Sequence, residues 1–407
     1  MLDSHNLLIK LKYLVYLRIV AYLISVDKLI KSFLIMNTTR LALFAATSGH
    51  SGVDRVLINL VTQFDAWGIE TDLLTIANHG PAYPFDELNH ARHIALNTRH
   101  VTSALPGLIR YMRRERPAAL LTDKDRVNRL AIIANQVTGQ STRVVVRIGT
   151  VVSTNLAARN WLDRQVQRLS MQLLYSHAHA VIVPAIGVAN DLAQFAQLSP
   201  AHIQVVRSPI ITPRLFTLAA AELTHPWLID PTAPPVILGV GELSERKDFA
   251  TLIRAVAKVR QQRMCRLMIL GRGRRADQLR CLAATLGISD DFALLGFQAN
   301  PYPFMRQARL FVLSSRWEGL PVALVEALAT HTPAIATACP GGGAAEVLEN
   351  SNCGALVPVG DLDALATAIA IWLDRQPSAA DFEATLAPYQ INQSARAYLQ
   401  VLGMTLP

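Results

Sequence analysis

Short apolar runs alternate with stretches whose apolar residues recur at helical spacing, and this happens twice along the chain. That alternation constrains the fold more than any other feature. Strands separated by helices long enough to cross over must pair in parallel, and a parallel sheet is covered by helices on both faces. In the first series strands are expected at Leu41–Ala46, Asp72–Ile76, Ala118–Thr122, Arg143–Ile148 and Ala180–Val183. The first is followed by a Gly/Ser loop, Thr47 to Gly52, and by a helix with Val53, Val56, Leu57, Leu60, Val61 and Phe64 on one side. In the second series strands are expected at Val236–Val240, Arg266–Leu270, Leu310–Leu313, Ala334–Thr337 and Ala355–Val357. Helices are expected there at Phe249–Arg260, Ala276–Leu286, Pro321–Ala329 and Leu362–Leu373, and a last one over roughly Ala380–Leu402.

Between the series the chain carries Pro209, Pro213, Pro226, Pro231, Pro234 and Pro235. Proline at that density disfavours helix and central strand alike, so a linker is expected here. The reading divides the chain into an extension (1–35), a first Rossmann-like domain (36–212), a proline-rich linker (213–235), a second Rossmann-like domain (236–378) and a C-terminal helix returning to the first domain (379–407). A length of 407 residues accommodates this.

The extension reads as apolar nearly all round from Leu7 to Ile24, with Lys10, Lys12 and Arg18 embedded. Its stretch with a single charge is shorter than the roughly 20 residues a membrane span needs. Two readings stay open. It is a basic helix lying on a membrane surface, or Met36 is the true start. Four cysteines without C-x-x-C spacing point to reduced, mostly buried thiols in a cytoplasmic protein, not to zinc or a disulfide framework. A formal charge of +9 favours anionic partners: nucleotide phosphates or an anionic membrane surface on the inner face of the cytoplasmic membrane. Nucleic acid is not expected, because no nucleic-acid module is recognisable.

The stretch from Ser314 to Ala329 carries the most chemistry. It follows an expected strand, and Gly319 permits close backbone approach. Pro321 suits a first helical turn, whose free N–H groups make an anion site. Glu318 stands just before that helix and Glu326 lies within it, where a carboxylate can accept two hydrogen bonds from a ribose diol. Asp123-Lys124-Asp125 imitates a metal-binding D-x-D, but Asp361-Leu362-Asp363 has the same spacing and reads as a helix N-cap. No metal site is therefore expected, while Asp123 or Arg126 remains available to line a cleft.

Glu318 and Glu326, with seven residues between them, resemble the E-x7-E element of retaining glycosyltransferases of family 4, which have the GT-B fold of two facing Rossmann-like domains. Leu238 to Phe249, Leu270 to Gly273, Pro340 to Gly343 with Glu346, and Gly354 to Asp361 resemble further segments of that family. Gly49 and Gly52 resemble its first glycine loop more loosely.

The resemblance implies transfer, with retention, of a sugar from a UDP- or GDP-linked donor to a saccharide or lipid-linked acceptor in surface polysaccharide, lipopolysaccharide or glycolipid synthesis. It implies no cofactor beyond the donor and no metal. Lys247 would neutralise the donor diphosphate, Gly319 and Leu320 would donate N–H groups to it, Glu326 would hold the ribose, and Glu318 would be the catalytic carboxylate facing the sugar. Gly52 would join the donor site. The sequence departs from the family in two places. Glu242 stands where the family often has arginine, with Arg246, Arg272 or Arg274 able to compensate, and no histidine follows the strand ending near Gly149. Two other readings remain: a nucleotide-sugar epimerase on the same fold, which needs no acceptor, and a non-catalytic nucleotide-sugar-binding protein.

Overall fold

The computed structural model describes residues 40–47, 49, 51–77, 87–230 and 232–406. The expectations for the N-terminal extension, for Met36, and for Ser48 and His50 of the Gly/Ser loop lie outside these residues. Among the described residues the chain is α/β, with two sheets.

The first sheet has seven strands: β1 (Leu41–Ala45), β2 (Thr71–Thr75), β3 (Ala91–Ala95), β4 (Ala119–Asp123), β5 (Arg143–Arg147), β6 (Ala180–Val183) and β7 (Ile203–Val205), in the order β3-β2-β1-β4-β5-β6-β7. The second has six: β8 (Val236–Val240), β9 (Arg266–Leu270), β10 (Phe292–Gly296), β11 (Leu310–Leu313), β12 (Ala334–Thr337) and β13 (Gly354–Val357), in the order β10-β9-β8-β11-β12-β13, every pair parallel. The chain clusters into two compact units. Of the described residues, one holds those up to Ile148, Val166–Ile182 and those from Tyr398 on; the other holds Gly149–Gln165 and those of Val183–Ala397.

The strands of the second sheet show why they are apolar throughout. Val236, Leu238, Met268, Leu270, Phe311 and Leu313 face one core. Ile237, Leu267, Ile269, Leu310 and Val312 face another on the opposite side. Successive side chains alternate in direction, so a sheet buried on both faces needs an apolar residue at every position.

Three strands were not expected from the sequence: β3, β7 and β10. All three lie at sheet edges. An edge strand is paired on one side only and tolerates polar positions, as in β3, whose ARHIA is exposed or half-exposed throughout. The proline-rich stretch corrects a second expectation. It is not devoid of helix: Pro213–Ala219 and Pro226–Ile229 are short helices, each opening on its proline. At a first helical position proline lacks only an N–H that would have no partner in the helix anyway, and its φ is preset. Thr212 caps the first of them by accepting from Leu215 N, and Leu215 packs into the second sheet's core. A third expectation, one helix over Ala380–Leu402, is corrected to two, Ala379–Leu386 and Ile391–Leu402, interrupted at Pro388.

The four cysteines are free thiols, with Cys265, Cys339 and Cys353 buried and Cys281 exposed. Among the described residues no helix is long and apolar enough to cross a membrane.

Candidate donor-binding site

In the second sheet the strand order reverses between β8 and β11. Ligands of open α/β sheets bind beyond the carboxyl ends of the strands at such a switch point. The two loops that leave these strands, Gly241–Asp248 after β8 and Ser314–Pro321 after β11, hold most of the residues singled out from the sequence.

The loops are fastened to each other by backbone and side-chain hydrogen bonds. Arg316 N donates to Arg246 O at 2.7 Å, and Ser314 Oγ donates to Lys247 O at 2.9 Å. Arg316 Nε donates to Asp248 Oδ2 at 3.1 Å. Lys247 thereby enters the space beside Gly241, where a Cβ would lie 2.7 Å from Lys247 Cε. Its Nζ is 2.7 Å from Glu318 Oε1, and the Arg246 guanidinium is 2.6 Å from the same oxygen. Ser315 Oγ donates to it at 2.9 Å.

Glu318 is buried, and burial alone would raise its pKa. The Lys247 and Arg246 charges, with the hydrogen bonds from Lys247 and Ser315, outweigh burial and hold the carboxyl below its ordinary value. The neighbouring Cys339 thiol is pushed up to about 11, first by burial and then by the Glu318 charge.

A depressed carboxyl pKa stabilises the fold above its unfolded value of about 4.5, and that stabilisation is lost as pH falls further, through the folded value. Thermal melts between about pH 6 and pH 3 should therefore show the wild type losing stability more steeply below about pH 4.5 than Glu318→Gln, which cannot titrate there. Equal slopes would mean that the ion triad is not formed.

Beyond Glu318 the backbone turns into the Val322–Ala329 helix, with Pro321 as its N-cap, not within its first turn. Gly319 and Leu320 are buried, and their amides donate no hydrogen bond among the described residues. Two unpaired N–H groups just before a helix start, next to a lysine and an arginine, are donors of the kind that can hold an anion. Close backbone packing leaves no alternative to glycine here. A Cβ on Gly319 would stand 2.1 Å from Gly149 O, and one on Gly341 1.6 Å from Glu318 O. Glu326 is 1% exposed and accepts from Tyr302 Oη at 3.0 Å.

Glu242 is exposed. Of the three arginines considered as its replacement, Arg246 joins Lys247 on Glu318, whereas Arg272 lies over the Phe297 ring at 5.1 Å and Arg274 is exposed. Where a histidine was looked for, Thr150 Oγ1 accepts from Asn155, whose Oδ1 accepts from Trp317 Nε1 at 2.9 Å. Gly52 opens the Gly52–Ala66 helix in the other unit, capped by Ser51 with Asp54 in a reciprocal box. Glu346 pairs with Arg207 and accepts from Ile186 N at 2.5 Å.

The D-x-D imitation resolves into separate pairs. Asp123 is bound to the buried Arg147, and Asp125 to Arg129 and the Tyr175 hydroxyl. Asp361 caps its helix by accepting from Ala364 N at 2.9 Å. His177 meets the carbonyl of Leu173 on the surface. Sequence reasoning missed Ser315, Tyr302 and Asn155. Of these only Ser315, directly after a strand and beside the motif, had a local signal.

Residues 227–385 match the family described as Glycosyl transferases group 1. That stretch is similar to the glycosyl transferases group 1 family. The chain is 29% identical over 235 residues, 58% of its length, to the N-acetylgalactosamine-N,N'-diacetylbacillosaminyl-diphospho-undecaprenol 4-alpha-N-acetylgalactosaminyltransferase of Campylobacter jejuni. It is 32% identical over 168 residues, 41% of its length, to the lipopolysaccharide core biosynthesis glycosyltransferase LpsE of Rhizobium meliloti. The matches span 61% and 46% of those two proteins. Among solved structures, the chain resembles the Anabaena protein HepE in complex with UDP and glucose, with a TM-score of 0.70 at 15% identity, covering 90% of this chain and 100% of that one. It also resembles the apo lipopolysaccharide outer core galactosyltransferase WaaB, with a TM-score of 0.66 at 16% identity, covering 89% and 99%. The fold is thus the GT-B fold. Both switch-point loops and Glu326 fall inside the matched residues.

Proposed function

We propose that the chain is a retaining, metal-independent glycosyltransferase that moves a sugar from a UDP- or GDP-linked donor to a saccharide or lipid-linked acceptor in the synthesis of a surface polysaccharide, lipopolysaccharide or glycolipid. The observation that carries this reading is the convergence of Lys247, Arg246 and the unpaired amides of Gly319 and Leu320 around Glu318 at the switch point of the second sheet. Such a set neutralises a leaving diphosphate with fixed charge and dipoles, which need no reorganisation as the charge develops. The acceptor class follows the relatives, one of which acts on a diphospho-undecaprenol saccharide and another in lipopolysaccharide core synthesis.

In the reaction the bond from the sugar anomeric carbon to the diphosphate oxygen breaks, and a bond to the acceptor hydroxyl oxygen forms on the same face. The acceptor proton passes to the departing phosphate. Lys247 and Arg246 hold the diphosphate, Gly319 and Leu320 donate to it, Glu326 takes the ribose hydroxyls, and Glu318 faces the sugar. In the structure Glu318 occupies both cations, so donor binding exchanges one anion for another on Lys247 and Arg246. Among the described residues no three His, Cys, Asp or Glu side chains are grouped to hold a metal ion. In this reading the counter-charge is supplied by the protein itself.

A thermal-shift screen of UDP- and GDP-sugars tests the donor class. At 100 times its dissociation constant the true donor should stabilise the protein by roughly 2.7 kcal/mol, and the shift and turnover should persist in EDTA. Absence of any shift across the screen would remove the donor reading, and activity lost in EDTA but restored by manganese or magnesium would remove metal independence.

A further inference from the structure

The two glutamates of the candidate donor site are held by different chemistry. Glu318 meets the cations of Lys247 and Arg246, whereas Glu326 accepts from a phenol, Tyr302 Oη, at 3.0 Å. Glu326 lies on the Val322–Ala329 helix beside Leu324, Val325, Ala327 and Leu328, all buried. A carboxylate in such surroundings is costly unless hydrogen bonds hold it. A phenol supplies one proton along one direction and brings no charge. It therefore fixes the way the carboxylate faces and leaves the group an acceptor.

The mount of that hydroxyl is rigid. Tyr302 opens the Tyr302–Gln307 helix between Pro301 and Pro303, whose rings preset φ on either side of it. Asn300 ties the turn down twice: its Oδ1 accepts from Tyr302 N at 3.3 Å, and its Nδ2 donates to Leu218 O at 2.8 Å. Further along the same helix Met305 O accepts from Thr332 Oγ1, and the Tyr302 side chain packs against the second sheet's core. None of these contacts uses the hydroxyl, so a phenylalanine at this position would keep them and lose the bond to Glu326.

We propose that Tyr302 is a positioning residue for the donor ribose: by fixing the Glu326 carboxylate it sets the preference for a nucleoside diphosphate with both ribose hydroxyls over its 2′-deoxy form. The inference rests on the donor reading above. A ribose diol presents two protons in a fixed geometry, and only a carboxylate that faces them squarely accepts both. A carboxylate free to turn loses one of the two bonds for part of the time. The 2′-deoxy form offers a single proton and loses less, so the preference shrinks.

Calorimetric titration of the full chain with UDP, GDP and their 2′-deoxy forms tests this without turnover. Wild type should bind the better ribonucleotide at least about tenfold more tightly than its 2′-deoxy form. In Tyr302→Phe that ratio should fall to about threefold or less, and in a Glu326→Gln background the same substitution should leave the ratio unchanged. In turnover the donor KM should rise with kcat held within about twofold, because the ribose contact is present in ground and transition states alike. A tyrosine that serves the fold alone would lower the melt and keep the wild-type ratio; that result overturns the proposal and spares the donor reading. Wild type that binds neither UDP nor GDP overturns both. Wild type that binds them without preferring ribose takes Glu326 off the diol and overturns the proposal, leaving the diphosphate contacts standing. If Tyr302→Phe does not fold, Asn300→Ala, which loosens the mount and keeps the hydroxyl, is titrated in its place: a reduced ratio is expected, and the wild-type ratio overturns the proposal.

Discussion

Glu318→Gln should lower kcat by about a hundredfold while leaving the donor KM unchanged or reduced. Positive character develops on the sugar as its bond to the diphosphate breaks, and a carboxylate facing it acts mainly in the transition state. The same carboxylate sits at 2.7 Å from Lys247 and 2.6 Å from Arg246, so neutralising it frees both cations for the donor. Glu326→Gln should behave in the opposite way. Its bond to ribose is present in ground and transition states alike, and hydrogen bonds to a charged group contribute roughly 1.5–3 kcal/mol, so the donor KM should rise about ten- to a hundredfold with little change in kcat. Steady-state kinetics of both variants, with melts to verify folding, separates the roles. Near-wild-type constants for both would remove the functional assignment. A fall in kcat confined to Glu326→Gln would exchange the two.

Lys247→Met should cost about 10²–10³-fold in kcat/KM. Methionine keeps much of the apolar stem that packs beside Gly241 but brings no charge to the diphosphate. Arg246→Met should cost less, because the Arg246 side chain is 30% exposed against 9% for Lys247, and solvent screens the more exposed charge. Lys247→Arg should rescue only in part, since a planar guanidinium does not fit the space a lysine tip occupies. A larger loss in Arg246→Met than in Lys247→Met would make the arginine the principal diphosphate ligand.

The central strands and the strand–loop–helix from Leu310 to Ala329 were legible because their requirements are local. A strand with both faces buried must be apolar at each position, and β8, β9, β11 and β12 appear in the structure with the bounds expected from the apolar runs. The helix start after Gly319 was legible within one residue for the same kind of reason. The edge strands were not, because β3 and β10 carry partly exposed positions and β7 has only three residues.

What the sequence by itself determined was the class of fold, two parallel sheets, and the identity of the loop residues at the second switch point. What only the tertiary structure decided was which side chains meet there. It chose Arg246 over Arg272 and Arg274 as the partner of Lys247, placed Ser315 on Glu318, and brought Tyr302 to Glu326 across 24 residues. It also turned the proline-rich stretch into capped short helices packed on a core. The physical reason is range. Burial periodicity and turn chemistry act between neighbours in sequence and are written there, whereas an ion pair between loops depends on strand order and on the backbone contacts that glycines permit.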